Sequence, residues 1–127
     1  MKYLLSLIVL LVIFTGCSIH KKSHKKYNER HFQTLLCEEL DGKMEYVLHD
    51  RTRVDCLTDE FAIEVDFANK WAEGVGQSLY YGYMTDKKPA IGLIVGENDA
   101  RFLKRLEKVS KKLDIKIFVI EKKQYSK

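Results

Sequence analysis

Residues 53–81 read RVDCLTDEFAIEVDFANKWAEGVGQSLYY, and this stretch decides the fold. Its first five residues alternate as in a β-strand, and a tight turn leads into a second alternating run. The rest has the apolar spacing of a helix, with one stripe formed by Trp71, Val75 and Leu79. We therefore predict a β-hairpin followed directly by a helix.

The flanking sequence extends this unit in both directions. Patterns of apolar residues and turn signals predict a helix over 29–40 with Asn28 as its cap, strands over 43–49, 91–95 and 115–120, and a second helix that Asp99 caps and that ends near residue 113. The element order is αβββαβαβ. Short turns join the first three strands, which must therefore be antiparallel, whereas helices separate the later strands, which we expect to be parallel neighbours. The predicted fold class is α/β, a mixed sheet flanked by helices.

Polar residues of this stretch fall on faces that can meet. Asp55 lies on one strand of the hairpin, and Glu64 and Asp66 share one face of the other. On a helical wheel Lys70, Gln77 and Tyr81 fall within about 60° of one another. Carboxylate oxygens are the ligands that Mg²⁺ or Mn²⁺ prefers, and such an ion promotes phosphodiester hydrolysis. The pattern predicts a pocket for a divalent metal and a nucleic-acid substrate.

The motifs RVDCL and AIEVD, followed by a helix containing GQSLYY, resemble the PD-(D/E)XK nuclease superfamily. The likeness is greatest to its RecB-like and Holliday-junction-resolvase-like members. It implies a restriction-endonuclease-like core with Asp55 and Glu64 as catalytic metal ligands and Asp66 as a further ligand. Gln77 and Tyr81 match a Q-x-x-x-Y signature and would bind substrate. An extra acid on the first helix corresponds to Glu38 or Glu39, with Glu45 as a weaker candidate.

One position departs from that family pattern. Asp66 stands where the motif lysine belongs, and some family members carry this lysine on the following helix instead. Lys70 fits that relocation and would then be the third catalytic residue. The alternative is a catalytically inactive nuclease fold that binds nucleic acid or an envelope protein.

The N-terminus has the features of an export signal. Lys2 precedes an apolar run over 3–14, which is too short to span a bilayer as a helix. The sequence Phe14-Thr15-Gly16-Cys17 that follows resembles the bacterial lipoprotein cleavage box. The resemblance implies a signal peptide over 1–16, lipidation (palmitate) of Cys17 and a place in the cell envelope, with the outer membrane favoured by Ser18 where the cell has one. An uncleaved signal anchor is the alternative.

Residues 17–28 form a polar tether that we expect to be disordered. Its four lysines suit anionic lipid headgroups or nucleic acid, or they are a solvated spacer. Residues 29–122 are long enough for one small domain, and residues 123–127 are expected to be a disordered tail. Cys37 and Cys56 are either a disulfide, which an exported protein can keep, or two buried thiols.

Overall fold

The computed structural model describes residues 27–125. The predicted signal, Cys17 and most of the tether lie outside this part of the chain, as do residues 126 and 127. The element order αβββαβαβ is confirmed. The elements are α1 (Glu29–Glu39), β1 (Lys43–Val47), β2 (Arg53–Leu57), β3 (Phe61–Phe67), α2 (Trp71–Thr85), β4 (Lys88–Val95), α3 (Ala100–Leu113) and β5 (Lys116–Glu121).

The five strands form one sheet in the order β1-β2-β3-β4-β5. β1, β2 and β3 are antiparallel neighbours, and β3, β4 and β5 are parallel neighbours. The parallel pairs are joined through α2 and α3, as parallel connections require a crossover. The predicted fold class, a mixed α/β sheet flanked by helices, is therefore confirmed.

Alternation along β3 sorts its side chains between the two faces of the sheet. Ile63 and Val65 belong to the core beneath α1, together with Phe32 and Leu36. Ala62 faces the other way and packs with Tyr81 of α2. Because side chains alternate along a strand, Glu64 and Asp66 share the face of Ala62, as predicted.

The predicted buried stripe of α2 needs correction. Trp71, Val75 and Leu79 are only half-buried, and they pack in the core cluster that includes Leu106 of α3. The buried residues of α2 are instead the small or polar ones that approach the sheet: Gly74, Ser78, Tyr81 and Gly82. The large apolar residues fill the space between the two helices, whereas small residues let α2 lie close to β3 and β4.

The ends of the helices follow their local chemistry, with one difference from expectation. Asn28 caps α1, and its side-chain oxygen accepts a hydrogen bond from the N–H of His31 at 3.0 Å. Asp99 precedes α3 but makes no side-chain cap. Its carboxylate accepts a hydrogen bond from the N–H of Gly96 at 2.8 Å instead, which closes the loop after β4.

A disulfide joins Cys37 of α1 to Cys56 of β2, so the bridge and not the pair of thiols is present. Both cysteines are fully buried. Gly42 lies against the bridge, and a Cβ at that position would be 2.4 Å from the sulfur of Cys56 and 2.9 Å from that of Cys37. The first helix is therefore tied covalently to the second strand, and residue 42, in the turn between α1 and β1, has no room for a side chain.

The C-terminal residues are more ordered than predicted. Lys122–Tyr125 form a single 3₁₀ turn, and the ring centroid of Tyr125 lies 5.9 Å from that of Phe32. The expectation of a disordered tail from residue 123 is wrong as far as Tyr125, because this aromatic contact holds the turn against α1. Within residues 27–125 no helix has the length and apolar character needed to cross a membrane.

Candidate active site

The site forms where the sheet opens between β2 and β3. These strands pair only at Cys56–Ile63 and Leu57–Ala62. Beyond that point the gap is bordered by α1 on one side and α2 on the other, and it forms a cleft of about 520 Å³. The residues that line the cleft are Glu29, Arg30, Gln33, Glu45, Arg51, Thr52, Arg53, Asp55, Glu64, Gln77 and Tyr81.

Asp55 occupies the opening between the strands. One of its carboxylate oxygens accepts a hydrogen bond from the backbone N–H of Val65 at 2.8 Å and so takes the place of a strand partner. Burial raises the pKa of Asp55 to about 6, against the lowering effect of that hydrogen bond. The structure therefore holds this half-buried carboxylate in a fixed orientation at the opening of the sheet.

Glu64 lies across the opening from Asp55. Its side chain is buried, and its Oε2 atom has no hydrogen-bond partner among the described residues. Burial, followed by the negative charges of Asp55 and Asp66, raises the pKa of Glu64 to about 9. A buried carboxylate oxygen without a donor is costly, and a cation at this position would relieve that cost.

Asp66 and Lys70 do not line the cleft. The carboxylate of Asp66 lies beneath α2, 3.4 Å from the ammonium of Lys70, and one of its oxygens lacks a hydrogen-bond partner in the described part of the chain. Lys70 also lies 3.7 Å from Glu29, and its side chain is 47% exposed. Burial raises the pKa of Asp66 to about 7, and the carboxylate of Asp66 raises the pKa of Lys70. Lys70 therefore meets Asp66 on the face of β3 that also carries Glu64, so the sharing of one helix face by Lys70, Gln77 and Tyr81 stays a prediction, but Lys70 lies outside the cleft.

The position of Lys70 along the chain explains why it lies outside the cleft. Ala68–Lys70 form a 3₁₀ turn and α2 begins at Trp71, so Lys70 immediately precedes the helix that carries Gln77 and Tyr81. About three turns of helix separate Lys70 from Tyr81. Lys70 therefore contacts Asp66 and Glu29 at the rim of the cleft.

Gln77 and Tyr81 of α2 line the cleft opposite the hairpin, as predicted. Tyr81 is 7% exposed, and burial raises the pKa of its hydroxyl above the ordinary value. The neighbouring Tyr80 donates a hydrogen bond to Asp50, and this bond connects α2 to the loop between β1 and β2. An amide and a neutral phenol are thus available in the cleft as hydrogen-bond donors.

The first helix contributes residues that differ from the predicted ones. Glu38 and Glu39 are exposed at the end of α1 and do not line the cleft, so the assignment of either as the extra acid is wrong. They follow the disulfide-bonded Cys37, at the end of the helix away from the opening. Besides Asp55 and Glu64, the acids that line the cleft are Glu29 at the start of α1 and Glu45 of β1, which was the weaker candidate for the extra acid.

Gln33 was not among the predicted site residues. It is 5% exposed, and its amide nitrogen donates to the carboxylate of Glu45 at 2.8 Å and to the backbone carbonyl of Asp55 at 2.9 Å. Gln33 precedes Leu36 by three residues and Cys37 by four, which places it on the buried side of α1. A glutamine on that apolar side could have been recognised from the sequence as a candidate site residue.

The carboxylates of Asp55 and Glu64 suit a hard divalent cation whose other ligands are water and substrate phosphate. Among residues 27–125 no group of three or more His, Cys, Asp or Glu side chains is placed to hold a metal ion, so Asp66 does not complete a set with Asp55 and Glu64. Mg²⁺ is commonly held by one or two carboxylates, with water and substrate phosphate completing its shell. Asp55 and Glu64, with the unpartnered buried oxygen of Glu64, fit that requirement.

Comparison with known proteins gives one relative. The chain is 34% identical over 101 residues to the "Putative KilA-N domain-containing protein L33" of Acanthamoeba polyphaga mimivirus. The match covers 78% of this chain and 39% of the relative, so the chain spans about two fifths of the relative's length. No protein-family model and no solved structure matches the chain.

Proposed function

We propose that this domain is a nuclease of the PD-(D/E)XK type, hydrolysing phosphodiester bonds with the help of Mg²⁺ or Mn²⁺. The observation that carries the proposal is the convergence of Asp55 and Glu64 in one cleft, at the opening of the sheet, with Gln77 and Tyr81 on the opposite wall. The sequence resemblance assigns roles to the same four residues.

Asp55 and Glu64 would hold the ion, and when bound it would supply an acidified water and neutralise phosphate charge. The hydrogen bond from Val65 fixes the carboxylate of Asp55, so little reorganisation is needed to bind a cation. Gln77 and Tyr81 would donate hydrogen bonds to the substrate backbone. Arg30 and Arg51 line the same cleft and would attract phosphate.

Lys70 would act from the rim of the cleft. Its ammonium stays protonated, because Asp66 and then Glu29 raise its pKa. In this role Asp66 and Glu29 position the lysine, which stands in for the lysine absent from position 66. Lys70 would orient the attacking water or stabilise charge on the phosphate during hydrolysis.

The test is cleavage of plasmid and branched DNA by the full chain in detergent, with Mg²⁺, with Mn²⁺ and with chelator. We expect cleavage only with metal, and a loss of about 100-fold on Asp55→Asn or Glu64→Gln. Glu38→Gln, which removes an exposed acid outside the cleft, is the matched control and should leave the rate unchanged. Equal rates in all four proteins would refute the proposal.

A second candidate function is binding without hydrolysis, with nucleic acid or an envelope protein as the partner. The observation in its favour is the arrangement of Lys70, whose ammonium pairs with Asp66 and Glu29 at the rim. Titration calorimetry with Mg²⁺ and Mn²⁺ separates the two candidates. Absence of metal binding, together with an intact partner complex, would favour the second.

We also propose that the chain is a lipoprotein of the cell envelope, anchored through Cys17. The sequence Phe14-Thr15-Gly16-Cys17 and the apolar run before it support this proposal. Labelling with an alkyne fatty acid in the producing cell tests it. We expect label in the parent and none in Cys17→Ser, with Cys37 and Cys56 unavailable because they are disulfide-bonded.

A further inference from the structure

The exposed face of α3 carries a strong and isolated positive charge. Six cations project from this helix of 14 residues, and all six are exposed: Arg101, Lys104, Arg105, Lys108, Lys111 and Lys112. Glu107 is the one acid within the helix. The opposite face is apolar and is anchored by the fully buried Leu106.

The rest of the described domain has the opposite charge. α3 holds six Lys or Arg and one Glu, a formal charge of +5. The other residues within 27–125 hold ten Lys or Arg and 17 Asp or Glu, a formal charge of −7. A solvated helix face of a domain with mixed surface charge would not show this separation, which creates a local positive potential on an otherwise acidic molecule.

These cations are also available to a partner. Within residues 27–125 none of the six has a carboxylate within ion-pair distance. Other lysines of the domain do have at least one such partner: Lys70, Lys88, Lys122 and Lys123. The guanidinium of Arg101 lies 4.6 Å from the ring centroid of Phe102, and that of Arg105 lies 5.9 Å from it. The aromatic ring restrains two of the cations on the outer face without neutralising them.

We propose that the α3 face, defined by these six residues, binds the phosphate backbone of a nucleic acid outside the catalytic cleft. The inference rests on the proposed function, because the nucleic acid would be the substrate. Outside α3 the domain has a net negative charge, and the cleft is lined by four acids against three arginines. A separate attachment surface therefore supplies binding free energy that the cleft does not.

The composition of the face favours nucleic acid over an anionic bilayer. A helix that lies in a membrane interface inserts large apolar side chains beside its cations. On α3 the large apolar residues turn inward, and the exposed one is Leu113 at the very end of the helix. The helix is about 20 Å long, so its cations can follow several successive phosphates of a duplex.

The test is fluorescence anisotropy of a short labelled DNA duplex with the full chain in detergent and chelator, so that hydrolysis does not interfere. The variant Arg105→Gln/Lys108→Gln/Lys112→Gln removes three charges from α3. The matched control Lys43→Gln/Lys88→Gln/Lys123→Gln removes three exposed charges elsewhere and leaves the N-terminal tether identical. We expect the α3 variant to weaken binding about tenfold or more and to lower the salt slope by about 2 to 3.

Equal weakening by both triple variants would overturn the proposal, since charge alone and not the α3 face would then determine binding. Unchanged DNA binding with lost binding to vesicles containing anionic lipid would overturn it in favour of a membrane surface. The same measurement on Asp55→Asn, which should lose cleavage, separates this inference from catalysis, because DNA binding through α3 should be unchanged in it. Binding that depends on α3 in a chain without any metal-dependent cleavage would uphold the face and refute the nuclease.

Discussion

The carboxylate of Asp55 accepts a hydrogen bond from the backbone N–H of Val65 at 2.8 Å, at the point where β2 and β3 stop pairing. A side chain therefore satisfies a buried backbone donor that a neighbouring strand would normally satisfy. Under the proposed function the same residue would also hold the metal ion, so Asp55 would have one role in stability and another in catalysis. Substitutions can separate these two roles.

We predict that Asp55→Ala and Asp55→Asn are both inactive but differ in stability. Alanine leaves the N–H of Val65 without an acceptor, which costs about 1–3 kcal/mol of unfolding free energy. Asparagine keeps an oxygen acceptor and removes a buried charge, so its unfolding free energy at pH 8 should equal or exceed that of the parent. Urea denaturation of the three proteins checks this, and equal loss in both variants would contradict it.

We predict that the metal-free protein becomes less stable as pH rises from about 5 to 9. The native state raises the pKa of Glu64 from 4.5 to about 9, so it binds a proton more tightly than the unfolded chain does. Such a group favours the native state fully below its unfolded pKa and loses that contribution as pH rises through the native pKa.

The measurement is urea denaturation in chelator across this pH range. Glu64→Gln should flatten the decline and gain about 2 kcal/mol over the parent at pH 9. Mg²⁺ should reverse the decline in the parent, because a cation replaces the proton, and should have little effect on Glu64→Gln. A parent protein whose stability is constant between pH 5 and 9 would contradict the raised pKa.

We predict that Gln33 positions the site without touching substrate. Gln33→Leu removes the hydrogen bonds to Glu45 and to the carbonyl of Asp55, so β2 loses a support beside the metal ligand. We expect metal affinity to fall about tenfold, the effect usual for a residue that supports a ligand. Calorimetric metal titration measures it. Thr34→Val, which removes an exposed hydrogen bond one residue along α1, should leave the affinity unchanged.

We predict that the disulfide makes a large contribution to stability. The bridge closes a sequence separation of 19, and its loss through Cys37→Ser/Cys56→Ser should lower the unfolding free energy by about 3 kcal/mol. Thermal denaturation with and without reductant checks this. Cys17→Ser should behave as the parent does, and a double variant of unchanged stability would contradict the prediction.

We predict that Gly42→Ala destabilises the oxidised protein by about 1–3 kcal/mol. The added methyl would overlap the sulfur of Cys56, which the bridge holds rigidly against the core. Gly76→Ala is a suitable control, since a Cβ at that helical position meets no neighbour within 4 Å. Alanine at residue 76 should be neutral or slightly stabilising. Equal melting temperatures for the two variants would contradict the prediction.

The sequence predicted the strands better than the site. β2 was predicted with its observed bounds, Arg53–Leu57, because alternation and a turn on each side define a short strand well. The cleft residues Asp55, Glu64, Gln77 and Tyr81 were also found, since strand alternation and helical spacing place each on a definite face. These two periodicities give the direction of a side chain within its own strand or helix, and that direction was sufficient to predict that these four residues line one cleft.

What the sequence could not predict depends on geometry between elements. Lys70 contacts Asp66 and Glu29 at the rim and does not line the cleft, because a helical wheel gives the direction of a side chain but not how far along the helix the cleft extends. Glu38 and Glu39 were predicted as the extra acid and Glu29 was not considered, because the sequence does not show which end of α1 borders the opening. That end is set by how α1 lies across the sheet, where the Cys37–Cys56 bridge fixes it to β2.

The same bridge determines which wall of the cleft can move. α1 and β2 are joined covalently at Cys56, which is also one of the residues where β2 still pairs with β3, so α1, β2 and β3 are held together at that corner. Farther out, the exposed loop between β1 and β2 is connected to α2 by the hydrogen bond between Tyr80 and Asp50. If the cleft widens to admit a bulky substrate, we expect the hydrogen bond between Tyr80 and Asp50 to break first and the β1–β2 loop to move away from α2.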